Sequence, residues 1–162
     1  MALDGYMYKD LKKIERGFNR HLKMIRGDLQ SGIVAAAMHL RRESQKITPY
    51  KYGNLVNSAY VMWPGKLRDK PKEWKDKRGD VDELERGHEA HLSVSKSIMR
   101  KNKILGPVAI VGYTAYYAPY VHEIPRNKYT KKGTGPYFLM KAFDQNKKEM
   151  LKIIKRRAKK WR

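Results

Sequence analysis

Apolar residues recur every three or four positions along the first third of the chain, which predicts a long amphipathic helix. The series runs from Met7 to Ile33, and basic residues lie between its members on the other side of the helix. Over residues 33–40 the apolar positions widen to most of the circumference. We therefore expect this part to be buried or packed against a neighbouring subunit. Gly27 and Gly32 weaken a helix locally, so a bend and two consecutive helices both remain open.

The first helix is predicted to end at Thr48, because the residue before a proline is pushed out of helical backbone angles. A turn follows at residues 50–54, and residues 58–63 form a short run rich in aromatic and apolar side chains that predicts a strand. Residues 64–80 are rich in basic side chains and hold two prolines and two glycines. Their composition predicts an exposed loop.

A second helix is predicted from Asp80, which can cap its first turn. The acidic residues that follow suit the positive end of a helix. The apolar spacing inside this helix is loose. The positions expected to face inward are Leu84, His88, His91 or Leu92, and Ile98.

The last third of the chain combines a strand pattern with a helix pattern. Residues 105–112 are β-branched and bounded by glycines, which predicts a buried strand. Residues 113–123 carry four of the eleven tyrosines, and a loop at 125–135 leads to a last helix that starts at Pro136. The apolar positions of that helix are Leu139, Phe143, Met150, Ile153, Ile154 and Trp161.

Positive charge dominates the composition. Lys and Arg total 37 against 16 Asp and Glu, a formal net charge of +21, which favours polyanions or acidic protein surfaces as partners. The charge is densest at residues 147–162, where the side chains either form a solvated helix face or contact DNA or an acidic partner. The residues assigned to that contact are Lys152, Lys155, Arg156, Arg157, Lys159, Lys160 and Arg162.

Length and composition predict one domain over residues 1–162. The chain has no cysteine, which excludes a disulfide framework and thiolate chemistry. No run approaches the about 18–20 apolar residues that a membrane span needs, so no membrane partner is expected. The first residues lack the basic-then-apolar order of a secretory signal, and synthesis in a cytoplasm is the simplest expectation.

Histidines are the main candidates for metal or acid–base chemistry. His88 and His91 stand three apart on the second predicted helix, but their spacing is not the His-Glu-x-x-His of zinc hydrolases, and no third ligand cluster accompanies them. His122 and Glu123 are adjacent, so on a helix or strand their side chains point in different directions. We expect no metal, no cofactor and no enzymatic activity.

The tyrosines of residues 113–123 allow two interpretations. Exposed rings among basic residues could stack on the bases of a single-stranded nucleic acid. Positions 113, 116 or 117, and 120 share one face if the segment is helical, and small residues lie between them, which favours tight packing instead. Packing is the preferred interpretation, since no zinc-finger, recognition-helix or RNA-recognition pattern occurs.

Three short motifs occur in order, one after Thr48-Pro49, one after the second strand and one at the start of the last helix. They read Gly53-x-Leu55-x-x-Ser58, Tyr117-Ala118-x-Tyr120-Val121-x-Glu123 and Pro136-Tyr137-Phe138-Leu139-x-x-Ala142. Over roughly residues 20–160, their order and spacing resemble the gene-product-ten-like tail-component family of tailed bacteriophages. Its members are tail-completion or neck proteins of siphophages that join head to tail.

The chain departs from the family pattern in three places. An extra His122 precedes the glutamate, residues 124–125 replace the family's glycine, and Tyr137 is inserted between the proline and the phenylalanine. Residues 64–103 look like an inserted loop and helix that enlarge the usual hairpin connection.

The resemblance implies an α+β subunit in which a long N-terminal helix and a C-terminal helix pack on a small curved antiparallel sheet. It implies a structural virion protein of the neck, made in the host cytoplasm, that completes the head–tail connector as a homo-oligomeric ring, usually a hexamer. The expected partners are a portal-side connector or stopper protein and a tail terminator or tail-tube protein, with genomic DNA passing through the lumen.

A ring needs a pair of surfaces that closes by rotation. The wide apolar face of the first helix and the tyrosine segment are the candidates. The residues assigned to this interface are Ile33, Val34, Met38, Tyr113, Tyr116, Tyr117, Tyr120, Glu123 and Phe138. The alternative function is a cytoplasmic protein that binds nucleic acid without sequence preference, which would follow from the charge alone.

Overall fold

The computed structural model confirms the α+β class, with long first and last helices and a small antiparallel sheet. It describes residues 3–51, 53–64, 66–68, 81–102, 106–125, 129 and 131–158. The elements in chain order are α1 (Leu3–Ile47), α2 (Asn54–Asn57), β1 (Ala59–Trp63), β2 (Lys66–Arg68), α3 (Val81–Asn102), β3 (Ile110–Tyr113), α4 (Ala118–Glu123) and α5 (Phe138–Ala158).

The sheet has the order β2-β1-β3, with both neighbours antiparallel to the central strand. Alternate residues of β1 point to opposite faces. Tyr60 and Met62 pack on Leu92 and Met99 of α3, while Val61 points to the other face, where α1 lies. Four of the five residues of β1 are buried because helices cover both faces of the sheet.

Helices α1 and α5 run antiparallel and make the largest contact in the fold. His39 Nε2 lies 3.3 Å from Asn146 Oδ1. Two turns earlier on α1, a side chain at Gly32 would lie 3.1 Å from the backbone of Ile154. The absent side chain of Gly32 therefore lets the two backbones approach closely.

One of the two alternatives left open for the first helix is excluded. The chain does not form two consecutive helices, since α1 runs unbroken for 45 residues from Leu3 to Ile47. Gly27 costs helix stability locally, but the ordered residues on both sides outweigh that cost. The predicted end at Thr48-Pro49 is confirmed.

The predicted second helix is confirmed as α3, with one correction to its inward face. Leu92, Ser95 and Met99 are buried, at helical spacing, whereas Ile98 is exposed. Ser95 faces inward because its hydroxyl meets Tyr60 Oη at 2.5 Å. The side chains of Leu84, His88 and His91 lie outside the described residues. The loop predicted at residues 64–80 is wrong in part, since residues 66–68 form β2 and pair with β1, and residues 69–80 lie outside the described residues.

The strand predicted at residues 105–112 is displaced and only half-buried, forming β3 at Ile110–Tyr113. The reason lies in Gln30 of α1. Its amide donates to the carbonyl of Val108 at 2.9 Å and accepts the amide hydrogen of Val108 at 3.0 Å. These bonds attach the backbone before β3 to α1.

The last helix begins at Phe138 rather than at Pro136 as predicted. Phe143, one of its apolar positions, is exposed, because the contact with α1 runs through Ala142 and Asn146 on a different side of the helix. Trp161 lies outside the described residues. No helix in the described part of the chain is long and apolar enough to cross a membrane.

Candidate assembly surfaces

The three sequence motifs meet in one cluster of buried side chains, which we call the motif core. Its buried members are Leu55, Ala115, Ala118 and Phe138. Leu55 comes from the first motif, Ala118 from the second and Phe138 from the third. The motifs are therefore the parts of the chain that build the junction between the end of α1, the sheet and α5.

A hydroxyl network fastens the motif core to α1. Tyr113 Oη lies 2.7 Å from Ser44 Oγ and 2.9 Å from Thr48 Oγ1. The two hydroxyls lie one turn apart at the end of α1, and each has a backbone carbonyl to donate to, Arg41 at 2.9 Å and Ser44 at 2.7 Å. The phenol of Tyr113 then has one hydrogen to donate, to either Ser44 Oγ or Thr48 Oγ1.

Tyr113 is neutral over the ordinary pH range, and burial extends that range upward. Desolvation by burial raises the pKa of Tyr113, and its hydrogen bonds with Ser44 and Thr48 and the charge of Arg41 offset only part of that rise. Burial likewise raises the pKa of Tyr117. Both phenols act in packing, as neutral rings with one polar end.

His122 belongs to this junction as an aromatic side chain. Its ring meets Phe138 edge-on, with centroids 4.8 Å apart, and Tyr137 at 5.9 Å. Nε2 of His122 is buried without a hydrogen-bond partner, and Glu123 is exposed beside it. The two side chains do not form an acid–base pair. No group of three metal-ligating side chains occurs within the described ranges.

Tyr137, in the third motif, has an unusual backbone conformation. Tyr137 is the one described residue other than glycine with a positive φ, at 57°. An aromatic residue in this region costs about 1–2 kcal/mol. The amide hydrogen of Tyr137 bonds to the carbonyl of His122 at 2.7 Å, which ties the start of α5 to α4.

The tyrosines do not share one helical face, which corrects the sequence expectation. Tyr113 ends β3, Tyr117 precedes α4, and only Tyr120 lies inside α4. Tyr113 and Tyr117 pack against the motif core. Tyr116 and Tyr120 are exposed, the latter by 64%, because the break between strand and helix turns them outward.

The predicted interface residues therefore fall into three groups. Phe138 belongs to the motif core, and half-buried Tyr113 and Tyr117 pack against it, so these three side chains hold the subunit together. Tyr116, Tyr120 and Glu123 are exposed around α4. On α1 the side chains of Ile33, Val34 and Met38 are half-buried.

A larger apolar surface lies on the amphipathic face of the first helix, ahead of residues 33–40, and was not among the predicted interfaces. Residues 13–27 of α1, which we call the arm, are exposed apart from half-buried Gly17. Its exposed apolar side chains at helical spacing form the arm stripe, which consists of Ile14, Phe18, Leu22 and Ile25. A second exposed set on α5 forms the α5 stripe, which consists of Met140, Phe143 and Leu151.

The basic residues assigned to contact with DNA or an acidic partner differ in their position on α5. Lys152 and Lys155 are exposed on the solvent side of α5 with Arg156, and Lys152 Nζ lies 3.5 Å from Glu149. Arg157 is also exposed, but its Cβ lies 3.5 Å from the point where a side chain on Gly32 would begin, so it stands on the side of α5 that faces α1. The remaining candidates, Lys159, Lys160 and Arg162, lie outside the described residues.

The solvent side of α5 carries a basic row that extends this set. One turn of helix holds 3.6 residues, so residues seven, eleven and fourteen apart share a side. The exposed side chains in this row are Lys141, Lys148, Lys152 and Lys155.

Comparison with known proteins adds no relative: no protein-family model, curated protein or solved structure matches this chain.

Proposed function

We propose that this chain is a structural virion protein of the phage neck. It assembles as a homo-oligomeric ring, completes the head–tail junction, and docks the tail to the connector without catalysis. Its neighbours in that role are a portal-side connector or stopper protein and a tail terminator or tail-tube protein. Genomic DNA passes through the lumen.

The observation that carries the proposal is the convergence of the three motifs on the motif core. Motifs that matched by chance would be scattered over the fold. Here Leu55, Ala118 and Phe138 pack on one another, although they are far apart in sequence. The set that resembles the tail-component family is thus the set that builds this subunit.

Exposed apolar surface supports assembly. The arm stripe and the α5 stripe both lie open to solvent on one chain. Contiguous apolar patches on a soluble protein mark interaction sites. The net charge of +21 suits a channel through which DNA slides, because Lys and Arg attract phosphates without reading sequence.

Attachment to purified neck components tests the proposal. The protein is mixed with the portal-side connector and with tails that lack their completion protein, from the phage that encodes it. We expect co-sedimentation with both and added density at the junction in electron micrographs. Failure to attach to either component would refute a neck function.

A pair of tyrosine variants sharpens this test. Tyr120 is exposed on α4, and Tyr50 is exposed between α1 and α2. We expect Tyr120→Glu to weaken attachment at least tenfold and Tyr50→Glu to leave it unchanged. Equal effects of the two substitutions would show that α4 is not part of the docking surface.

A second candidate function is nucleic-acid binding without sequence preference. The basic row on α5 supports it, since four lysines share one side over about 21 Å of helix. Fluorescence polarisation with a labelled duplex should show affinity that falls steeply between 50 and 200 mM salt. Lys148→Glu should weaken binding more than Lys101→Glu on α3. Absence of binding at 50 mM salt would exclude this function.

A further inference from the structure

Helix α1 is about twice as long as the helix that packs on it. Its 45 residues span about 67 Å and the 21 residues of α5 span about 31 Å. The two helices run antiparallel, and Ile154 near the end of α5 meets Gly32. The arm therefore extends past the end of the described part of α5, with Ile14 exposed by 68% and Phe18 by 63%.

The arm stripe continues the same side of α1 that α5 covers further along. From Phe18 through Leu22, Ile25 and Leu29 to Gly32, steps of four and three residues keep one side of a helix. Beyond Gly32 that side is buried under α5. The arm thus extends an established helix–helix interface, and no described part of the chain covers it.

The α5 stripe is a second open surface on the same subunit. Met140, Phe143 and Leu151 lie on a flank of α5 that its contact with α1 leaves free, and Phe143 is 47% exposed. The stripe spans eleven residue steps, about 16 Å along the axis. The arm stripe spans the same eleven steps from Ile14 to Ile25.

We propose that the arm stripe of one copy docks antiparallel on the α5 stripe of a second copy of this chain. Each subunit then offers its arm to one neighbour and its α5 to the other, which makes a head-to-tail contact. The proposal rests on the proposed function only in taking the assembly to be a homo-oligomer. It names the two surfaces that form the assembly.

A second copy fits both surfaces at once. One repeated contact covers the arm stripe and the α5 stripe, whereas pairing of two arms would leave the α5 stripe exposed. The length of α1 accommodates two α5 helices end to end, its own and that of the neighbour, both antiparallel to it. A head-to-tail contact closes into a ring when its rotation permits.

Charge is compatible with this contact despite the net charge of the chain. Four of the five Lys and Arg residues of the arm, Lys13, Arg16, Arg20 and Lys23, fall opposite the arm stripe, so they point away from the neighbour, while Arg26 lies on a flank of the stripe. On the near flank lies Glu15. In the antiparallel contact Ile14 lies at the same height along the helix axis as Leu151 of the second copy. Glu15 then lies between Lys148 and Lys155 of that copy.

Single substitutions at exposed positions test the contact. Phe18→Asp charges the arm stripe, and Phe143→Asp charges the α5 stripe. Val94→Asp on α3 is the matched control, because the exposure of Val94, 58%, lies between those of Phe143 and Phe18. We expect wild type and Val94→Asp to form the same oligomer by native mass spectrometry. Phe18→Asp and Phe143→Asp should each be monomeric, with circular dichroism unchanged.

Mixing the two defective variants is the decisive experiment. The Phe143→Asp copy retains its arm stripe and the Phe18→Asp copy retains its α5 stripe, so one intact contact forms. We expect a one-to-one dimer of about 38 kDa, twice the 19.0 kDa of the chain, that grows no further. A mixture that stays monomeric overturns the proposal, as does a monomeric wild-type protein.

Other outcomes separate this proposal from its rivals. Loss of assembly with Phe18→Asp but not with Phe143→Asp would indicate arm–arm pairing and overturn it. An oligomer unaffected by either substitution would overturn it and leave the neck function standing. An oligomer with the expected mixing behaviour that attaches to no neck component would refute the neck function alone.

A charge reversal tests the antiparallel orientation. Glu15→Lys should weaken the contact about tenfold, since it brings a third positive charge between Lys148 and Lys155. Adding Lys148→Glu in the same chain should restore much of the affinity. If the double variant is weaker than the single variant, the orientation is wrong.

Discussion

Tyr113 links three parts of the fold through a single side chain. Its ring meets Phe138 edge-on at 4.9 Å, its hydroxyl bonds to α1, and its backbone pairs with Ala59 in the sheet. In the sequence Tyr113 is one of four tyrosines in residues 113–123. Only its position at the end of β3 distinguishes it from Tyr116 and Tyr120, which are exposed.

Alkaline pH should destabilise the fold through Tyr113. Because burial raises the pKa of Tyr113 above 10.0, the unfolded chain loses this proton before the folded chain does. The stabilising contribution is therefore full below about pH 10 and is lost as the pH rises through the folded pKa. The free energy of unfolding in urea should be about 1 kcal/mol higher for wild type than for Tyr113→Phe at pH 8. That difference should shrink above pH 10.

The comparison of the two proteins contains its own control, because every other ionisable group is the same in both and cancels from the difference in unfolding free energy. If that difference stays constant up to pH 11.5, ionisation of Tyr113 is not what destabilises the fold.

Position 112 must be glycine because the ring of Tyr60 packs directly over it. A side chain there would lie 2.7 Å from Tyr60 Oη, and Tyr60 is itself buried and bonded to Ser95. We expect Gly112→Ala to cost about 1–3 kcal/mol, measured by urea unfolding. In a Tyr60→Leu background the same substitution should cost little, since the ring is gone. Equal costs in both backgrounds would show that Tyr60 is not the reason.

At the scale of elements, the contact between α1 and α5 is the largest in the fold. Small residues on α1, with Gly32 and Ala36 among them, allow close approach, and His39 meets Asn146 across the joint. The sequence predicted both helices and the end of α1. It did not predict which side of α5 turns toward α1.

Gly32 and Gly27 form a matched pair on one helix. Gly32→Leu should destabilise the fold by about 2 kcal/mol or more, because the backbone of Ile154 must move away. Gly27→Leu meets nothing within 4 Å and should be neutral or slightly stabilising, since leucine favours helix over glycine. Thermal unfolding followed by circular dichroism measures both. A neutral Gly32→Leu would mean that the helices do not touch there.

At the scale of the whole molecule, charge opposes compactness. A net charge of +21 repels itself over distances comparable to the size of the fold. Added salt screens that repulsion, and the Debye length falls from about 30 Å at 0.01 M to about 8 Å at 0.15 M. The free energy of unfolding in urea should therefore rise with NaCl over this range. A fall would indicate that attractive ion pairs outweigh the repulsion.

The sequence by itself determined the three long helices, the end of α1 and the strands β1 and β3, although it missed α2, α4 and β2. Periodicity and proline act within a few residues of themselves, so a local pattern suffices. It also determined the motif set, whose members proved to share one core. The predicted start of β3 was less accurate, because Gln30, 78 positions away in sequence, hydrogen-bonds to Val108.

Only the tertiary structure decided which apolar faces are covered. Phe18, Leu22 and Ala36 belong to one continuous pattern on α1, yet the first two are exposed and the last is buried. The periodicity of a helix shows that a face is apolar, but burial depends on whether another part of the chain reaches that face. Here α5 meets α1 from Gly32 onward, and the arm is left as an open surface.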